Sequence, residues 1–242
     1  MAGLEGRIAV VTGASRGIGY AAALGLAEAG AHVVAVARTG GGLEELDDAI
    51  RAKGGSATLV PLDLKDYPAI DRLGAAIYER WGKLDMLFGN AGVLGAVTPL
   101  GHLEPKVWDD AIAVNVTANW RLIRSLDPLL RRSDAGRALF VTSGVTKTFG
   151  PYWGSYSITK AALEALVRTY AAEVANTTVR VNLFSPGALR THMRARAMPG
   201  EDPDTLQAPE AAVADIVRML SPGYTENKVL YELATGETHR FP

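Results

Sequence analysis

The strongest constraint on how this chain folds is the alternation of two hydrophobic patterns along its length. Seven short apolar runs, at 7–12, 32–37, 56–62, 84–89, 137–143, 178–184 and 228–233, are continuous or nearly so. A strand with one wet face alternates polar and apolar residues, whereas a continuous run suits a strand buried on both faces, as in a parallel sheet covered by helices. Between the runs lie longer stretches with helical spacing, near 17–30, 43–54, 66–81, 104–132, 155–176 and 209–220. Strand and helix repeated from end to end predict an α/β fold: a doubly wound parallel sheet of seven strands, right-handed crossovers, and helices on both faces. A chain of 242 residues could hold two small domains, but no linker or internal repeat interrupts the pattern, and Gly40-Gly41-Gly42 is too short to separate two. Residues 1–242 are therefore expected to form a single domain.

Composition removes several function classes. Apolar residues make up 48% of the chain and charged residues 21%, enough for a buried core, and the net charge is −1. With 25 Lys and Arg against 26 Asp and Glu there is no cationic surplus for nucleic acid, and none is expected as a partner. No apolar run approaches the ~18 residues of a membrane span. The opening MAGLEGRIAVVTG lacks the order of basic, apolar and small-residue sections of a secretion signal, so a cytoplasmic protein with no membrane partner is expected. There is no cysteine, which excludes disulfides and thiolate chemistry, and His32, His102, His192 and His239 are too scattered to predict a metal site.

The first run ends in Thr12-Gly13-Ala14-Ser15-Arg16-Gly17-Ile18-Gly19, and a helix follows. A glycine turn between strand and helix lets backbone N–H groups and the helix dipole face a pyrophosphate with no side chain in the way, which makes the fold Rossmann-type and the domain dinucleotide-binding. The second run then selects the dinucleotide. An acid after that strand would take both ribose hydroxyls of NAD; here the residues are Val36-Ala37-Arg38-Thr39, and the next acid is Glu44. Arg38 with Arg16 can clamp a 2′-phosphate, so NADP(H) is expected in preference to NAD(H).

The fifth run ends in Val141-Thr142-Ser143, and Tyr156 and Lys160 follow at i and i+4 on one helix face. An ammonium beside a phenol favours the phenolate and fits the tyrosine for acid–base work. The spacing alone is weak, for Tyr224 and Lys228 repeat it at a helix-to-strand turn, where it is read as accidental. The ordered set is stronger: the glycine turn, Gly89-Asn90-Ala91-Gly92 after the fourth run, Asn115, Ser143, Tyr156 with Lys160, and Ser185-Pro186-Gly187 after the sixth.

In that order and spacing the chain resembles the short-chain dehydrogenase/reductase family over essentially its full length. The resemblance implies Tyr156 as proton donor and acceptor, Ser143 as the hydroxyl on the reacting carbonyl, Lys160 as tuner of the tyrosine and ligand of the nicotinamide ribose, and Asn115 as holder of a relay water. It further implies that Gly13, Ser15, Arg16, Gly17, Ile18 and Gly19 receive the pyrophosphate, and that Arg38 and Thr39 meet the 2′-phosphate. Asp63 and Leu64 would meet the adenine; Asn90, Ala91 and Gly92 the adenosine; Pro186, Gly187 and Thr191 the nicotinamide. Substrate choice is expected in a lid at 187–209, with Leu189 and Met193, and with Leu94, Ser143, Tyr152 and Trp153 as neighbours. Arg190, Arg194 and Arg196 on the lid would either attract an anion or be a solvated face, and Gly200 to Asp204 reads as a mobile loop.

The expected activity is thus NADP(H)-dependent interconversion of a ketone or aldehyde with an alcohol, on a small-molecule substrate. Epimerase or dehydratase chemistry through the same tyrosine, and a cofactor-binding sensor without turnover, are the alternatives. A homo-oligomer is expected: the 155–176 stretch is apolar around nearly its whole circumference, which fits a helix sandwiched in the monomer or, the favoured reading, a face kept for a second subunit. Relatives often close with Asp-Gly-Gly after the last strand; here Ala234-Thr235-Gly236-Glu237 stands instead, which favours a homodimer over a homotetramer. Gly89 also stands where Asn often opens the Asn-Asn-Ala-Gly motif.

Overall fold

The computed structural model describes residues 3–241. The first half of the fold runs β1 (Ile8–Thr12), α1 (Gly17–Glu28), β2 (His32–Ala37), α2 (Gly40–Ala52), β3 (Ser56–Pro61), α3 (Tyr67–Trp81) and β4 (Met86–Gly89). The second half runs α4 (Pro105–Ile112), α5 (Ala118–Leu130), β5 (Arg137–Val141), α6 (Val145–Thr148), α7 (Gly154–Glu173), β6 (Arg180–Ser185), α8 (His192–Ala197), α9 (Val213–Leu220), β7 (Val229–Glu232) and β8 (Glu237–Arg240). The strands form one sheet in the order β3-β2-β1-β4-β5-β6-β7-β8, parallel from β3 through β7.

The continuous apolar runs have the expected cause. In β1, Ile8 and Val10 enter the core under α3, α5 and α7, while Ala9 and Val11 enter the opposite core under α1, α2 and α9. Leu87 and Phe88 of β4 divide in the same way, as do Phe140 and Leu139 of β5. Each central strand thus feeds two cores, and every residue must be apolar.

Two local expectations change. The sheet has eight strands rather than seven: β8 turns back at Gly236 (φ +71°) and pairs antiparallel with β7, setting Val229 opposite Arg240. All four β8 residues are exposed, so the strand is held by backbone pairing and carries no apolar signature. The helical stretch at 104–132 is two helices joined by a π-helical turn, Ala113–Thr117. Of the two readings of α7, the helix sandwiched within the monomer does not hold: Leu163, Val167 and Tyr170 face the core, while Ile158 and Ala165 are exposed in the single chain.

Candidate active site

One cleft of about 830 Å³ opens beyond the carboxyl ends of the strands, within the range of small-molecule sites. Its first half is the dinucleotide end. Gly13 adopts φ +69°, and a Cβ there would stand 2.9 Å from Asn90 Nδ2. A Cβ on Gly19 would fall 2.2 Å from the Gly13 carbonyl. Both glycines leave room for the Asn90 amide, which donates to Thr12 O at 2.9 Å, while the Thr12 hydroxyl accepts from the Asn90 and Ala91 N–H groups at 3.1 Å each. The ends of β1 and β4 are so locked together, and Gly17 and Ile18 at the start of α1 line the cleft, a cradle suited to a pyrophosphate. Gly19 and Asn115 lie behind the cleft rather than on its wall.

At the adenosine end Ala37 is buried where an acid would stand in an NAD site. Arg16 and Arg38 are exposed on the cleft wall, and among the described residues neither has an ion-pair partner. Thr39, Asp63 and Leu64 line the same end. Two residues missed in the sequence join them: Lys65 Nζ donates to Asp110 Oδ1 at 2.9 Å, bridging the loop after β3 to α4 across the cleft wall. No local pattern links positions 45 residues apart.

The other half is catalytic in composition. Ser143 lies two residues beyond the end of β5, Tyr156 stands in the first turn of α7, and Lys160 lies one turn on. Lys160 is buried; Nζ donates to Val141 O at 2.8 Å and sits 5.7 Å from the centre of the Tyr156 ring. Burial pushes the lysine down to about 8, opposed by the Glu164 carboxylate. Surrounding protein pushes the Tyr156 phenol up to about 12, opposed by the Ser143 hydroxyl. The ammonium lies over the ring and bonds a carbonyl, so in the chain alone desolvation outweighs the lowering of the phenol expected from the sequence.

Asn115 sits in the π-helical turn, a local irregularity frequent at functional sites. Its side chain makes three bonds: Oδ1 accepts from Val93 N at 2.8 Å, and Nδ2 donates to Val93 O and to Thr159 Oγ1, each at 2.9 Å. It holds the loop after β4 against α7. Both amide hydrogens are taken, while Oδ1 keeps a second acceptor position.

Leu94, Trp153, Leu189 and Met193 stand on the cleft wall, joined by Val107, Val114, Val145 and Ala197, which the sequence reading missed. The Trp153 ring lies 6.2 Å from that of Tyr156. Tyr152 does not join them: at φ +74° its ring is turned out to solvent. The lid contains α8, capped by the Thr191 hydroxyl, which accepts from Arg194 N at 3.2 Å. Two lid arginines are occupied, Arg194 by both Glu201 oxygens at 2.6 Å and Arg190 by Asp204 at 3.2 Å. Their partners come from the stretch read as a mobile loop, which the ion pairs tether. Only Arg196, with His192, remains on the wall as a free cationic or titratable group of the lid. Among the described residues no group of three or more His, Asp or Glu side chains could hold a metal, and no helix is long and apolar enough to cross a membrane.

A glycine cradle at the end of β1, and a Ser, Tyr and Lys set at the ends of β5 and α7, define an oxidoreductase of the nicotinamide-dependent class. The chain belongs to the short chain dehydrogenase family, whose sequence pattern matches residues 7–202. It is 38% identical over 209 residues to an uncharacterised oxidoreductase, YciK, of Escherichia coli K12, covering 85% of this chain and 82% of that protein. It is 34% identical to the 2,3-dihydro-2,3-dihydroxybenzoate dehydrogenase of Bacillus subtilis, covering 79% and 73%. Among solved structures, a short chain dehydrogenase of Shigella flexneri complexed with NADP superposes with a TM-score of 0.92 at 33% identity, covering 96% of this chain and 98% of that one.

Proposed function

We propose that the protein is an NADP(H)-dependent oxidoreductase that interconverts a ketone or aldehyde with its alcohol, with Tyr156 as general acid and base. The observation that carries this reading is the convergence of Ser143, Tyr156 and Lys160 in the same cleft as a dinucleotide cradle. The cofactor, when bound, supplies or accepts the hydride. The protein supplies the rest. The Ser143 hydroxyl donates to the carbonyl oxygen, and Tyr156 gives its proton to that oxygen as negative charge develops. The Lys160 ammonium favours the phenolate left behind. A phenol held near 12 is protonated at neutral pH, the form that carbonyl reduction needs.

NADP(H) over NAD(H) rests on the two unpaired guanidiniums of Arg16 and Arg38, on the missing acid at Ala37, and on the NADP and NADPH found in similar structures. The apolar wall of Leu94, Val107, Val114, Trp153, Leu189 and Met193 favours a substrate with an apolar body around its carbonyl. The exposed Ile158 and Ala165 on α7, with Trp120 exposed on the neighbouring α5, support a homodimer through these helices.

Incubating the protein with NADPH and a panel of apolar and anionic carbonyl compounds tests the reading. Oxidation of NADPH by at least one compound is expected. A thermal shift with NADPH and no oxidation by any of them would favour a binding protein without turnover.

A further inference from the structure

Among the described residues three acidic side chains are buried, Asp47, Asp85 and Glu164, and only Glu164 adjoins the catalytic groups. It stands four residues after Lys160 on α7, so the two share one helix face. Its Oε1 accepts from the Thr142 hydroxyl at 2.6 Å and lies 2.7 Å from the Thr146 hydroxyl; its Oε2 accepts from the Arg168 guanidinium at 3.1 Å. Thr142 immediately precedes Ser143, and the Thr146 hydroxyl also lies 2.9 Å from the Ser143 carbonyl. One carboxylate therefore grips the chain on both sides of Ser143 and ties it to the helix that carries Tyr156 and Lys160. Short bonds to an ionised acceptor are the stronger kind, so this grip is stiff.

Lys160 Nζ and Glu164 Oε1 bond to consecutive residues, the Val141 carbonyl at 2.8 Å and the Thr142 hydroxyl at 2.6 Å, so the carboxylate stands beside the ammonium and opposes its desolvation. The groups around the ammonium are Tyr156 and Glu164 on its own helix, the Val141 carbonyl of β5, and the neutral Asn115 amide. Arg168 faces Glu164 from the far side and shares a small cavity with Lys147, His239 and Arg240, of which Lys147 and Arg240 pair with Glu232 and Glu226.

We propose that Glu164 is a positioning residue: it fixes Ser143 against the helix of Tyr156 and sets a carboxylate charge beside the buried Lys160 side chain. The inference rests on the carbonyl chemistry proposed above, and its test reads the charge separately from turnover. In the full-length protein labelled with carbon-13 at lysine Cε, seven lysines give few signals, and Lys160 is the one lost in Lys160→Arg. Its titration midpoint is expected near 8 in the parent and about one pH unit lower in Glu164→Gln, which keeps the shape and removes the charge. The alkaline limb of NADPH-dependent reduction should move down with it, because loss of a nearby negative charge eases proton loss from either member of the Tyr156 and Lys160 pair. The KM for NADPH should change by less than about twofold, while kcat at pH 8 falls about tenfold.

Glu164→Asp keeps the charge but shortens the reach; it should restore the midpoint and leave kcat reduced. If Glu164→Gln does not fold, Glu164→Asp with parental kcat overturns the proposal. An unmoved Lys160 midpoint and an unmoved pH limb in a folded Glu164→Gln overturn it as well, and leave Glu164 a structural clamp. A parent protein that reduces no carbonyl, with the Lys160 midpoint still shifted in Glu164→Gln, would remove the proposed reaction and uphold the charge coupling.

Discussion

The two ends of the sheet handle charge in contrasting ways. At the amino ends of the strands, Asp85 is wholly buried, and both oxygens are occupied: Oδ2 accepts from the Ile8 N–H at 2.9 Å, and Oδ1 from Ser133 at 2.6 Å, Lys83 at 2.9 Å and Arg7 at 3.0 Å. Burial pushes the carboxyl up, but the hydrogen bonds from Ser133, Ile8 and Lys83 outweigh it and hold it below the ordinary carboxylate range. Nearby, the buried Arg137 guanidinium donates to the carbonyls of Ser221, Gly136, Thr178 and Pro222. At the carboxyl ends, Arg16 and Arg38 lie exposed on the cleft wall with no ion-pair partner among the described residues, the nearby Asp110 being held by Lys65, and Lys160 is desolvated to about 8. Charge matched within the chain ties strands together, whereas charge left unmatched is available to a ligand. The difference predicts that stability and activity can be altered separately from opposite ends.

Tyr156 aside, the largest effect expected is on stability. Asp85→Asn removes the buried charge that Ile8 N–H, Ser133, Lys83 and Arg7 converge on, leaving Arg7 only Asp134 as an acidic partner, and should lower the free energy of unfolding by about 3 kcal/mol, measured by urea denaturation, with kcat and cofactor affinity unchanged in the folded fraction. A loss of turnover without a loss of stability would break the separation of the two ends. The same site sets a pH dependence. Because the folded-state pKa is depressed, its stabilisation is complete above the unfolded carboxylate range near pH 4 and is lost as pH falls through the lower folded value. Asp85→Asn should flatten that acid limb of stability.

At the cleft end, Arg38→Asp should cut the preference for NADPH over NADH by about 10- to 100-fold, or about 1.4–2.8 kcal/mol, in the ratio of kcat/KM values. An unchanged ratio would sink the phosphate clamp. Smaller again is the pH effect on the parent enzyme. Carbonyl reduction should hold through neutral pH and fall about tenfold per unit above the Lys160 value near 8, as the ammonium is lost. The smallest effect is expected at the lid: Arg194→Gln removes a part-exposed pair with Glu201 and should cost less than about 1 kcal/mol of stability, while raising substrate KM a few fold as the lid loosens.

What the sequence reveals follows the same division. The central strands were legible because both of their faces are buried, so composition alone marks them. β8 was not, because Glu237-Thr238-His239-Arg240 is held by its register with β7 and by the Arg240–Glu226 ion pair, neither of which leaves an apolar pattern. The glycine turn and the Ser143, Tyr156 and Lys160 set could be read because each sits at a strand end or on one helix turn, where short spacing encodes proximity. The contacts that tune them could not: Glu164 reaches Thr142 across 22 residues and Lys65 reaches Asp110 across 45, distances over which no periodicity carries information. The break in the 104–132 stretch was equally hidden, since the apolar pattern runs on through the π-helical turn around Asn115.

The claim that the carboxyl end performs proton transfer is tested most directly by following NADPH oxidation in Tyr156→Phe against the parent, with NADPH binding measured on the same samples. The account predicts a loss of about 10³-fold in turnover, the scale of positioned acid–base catalysis, with NADPH affinity within about twofold. Turnover above a few per cent of the parent in a variant that binds NADPH normally would contradict it.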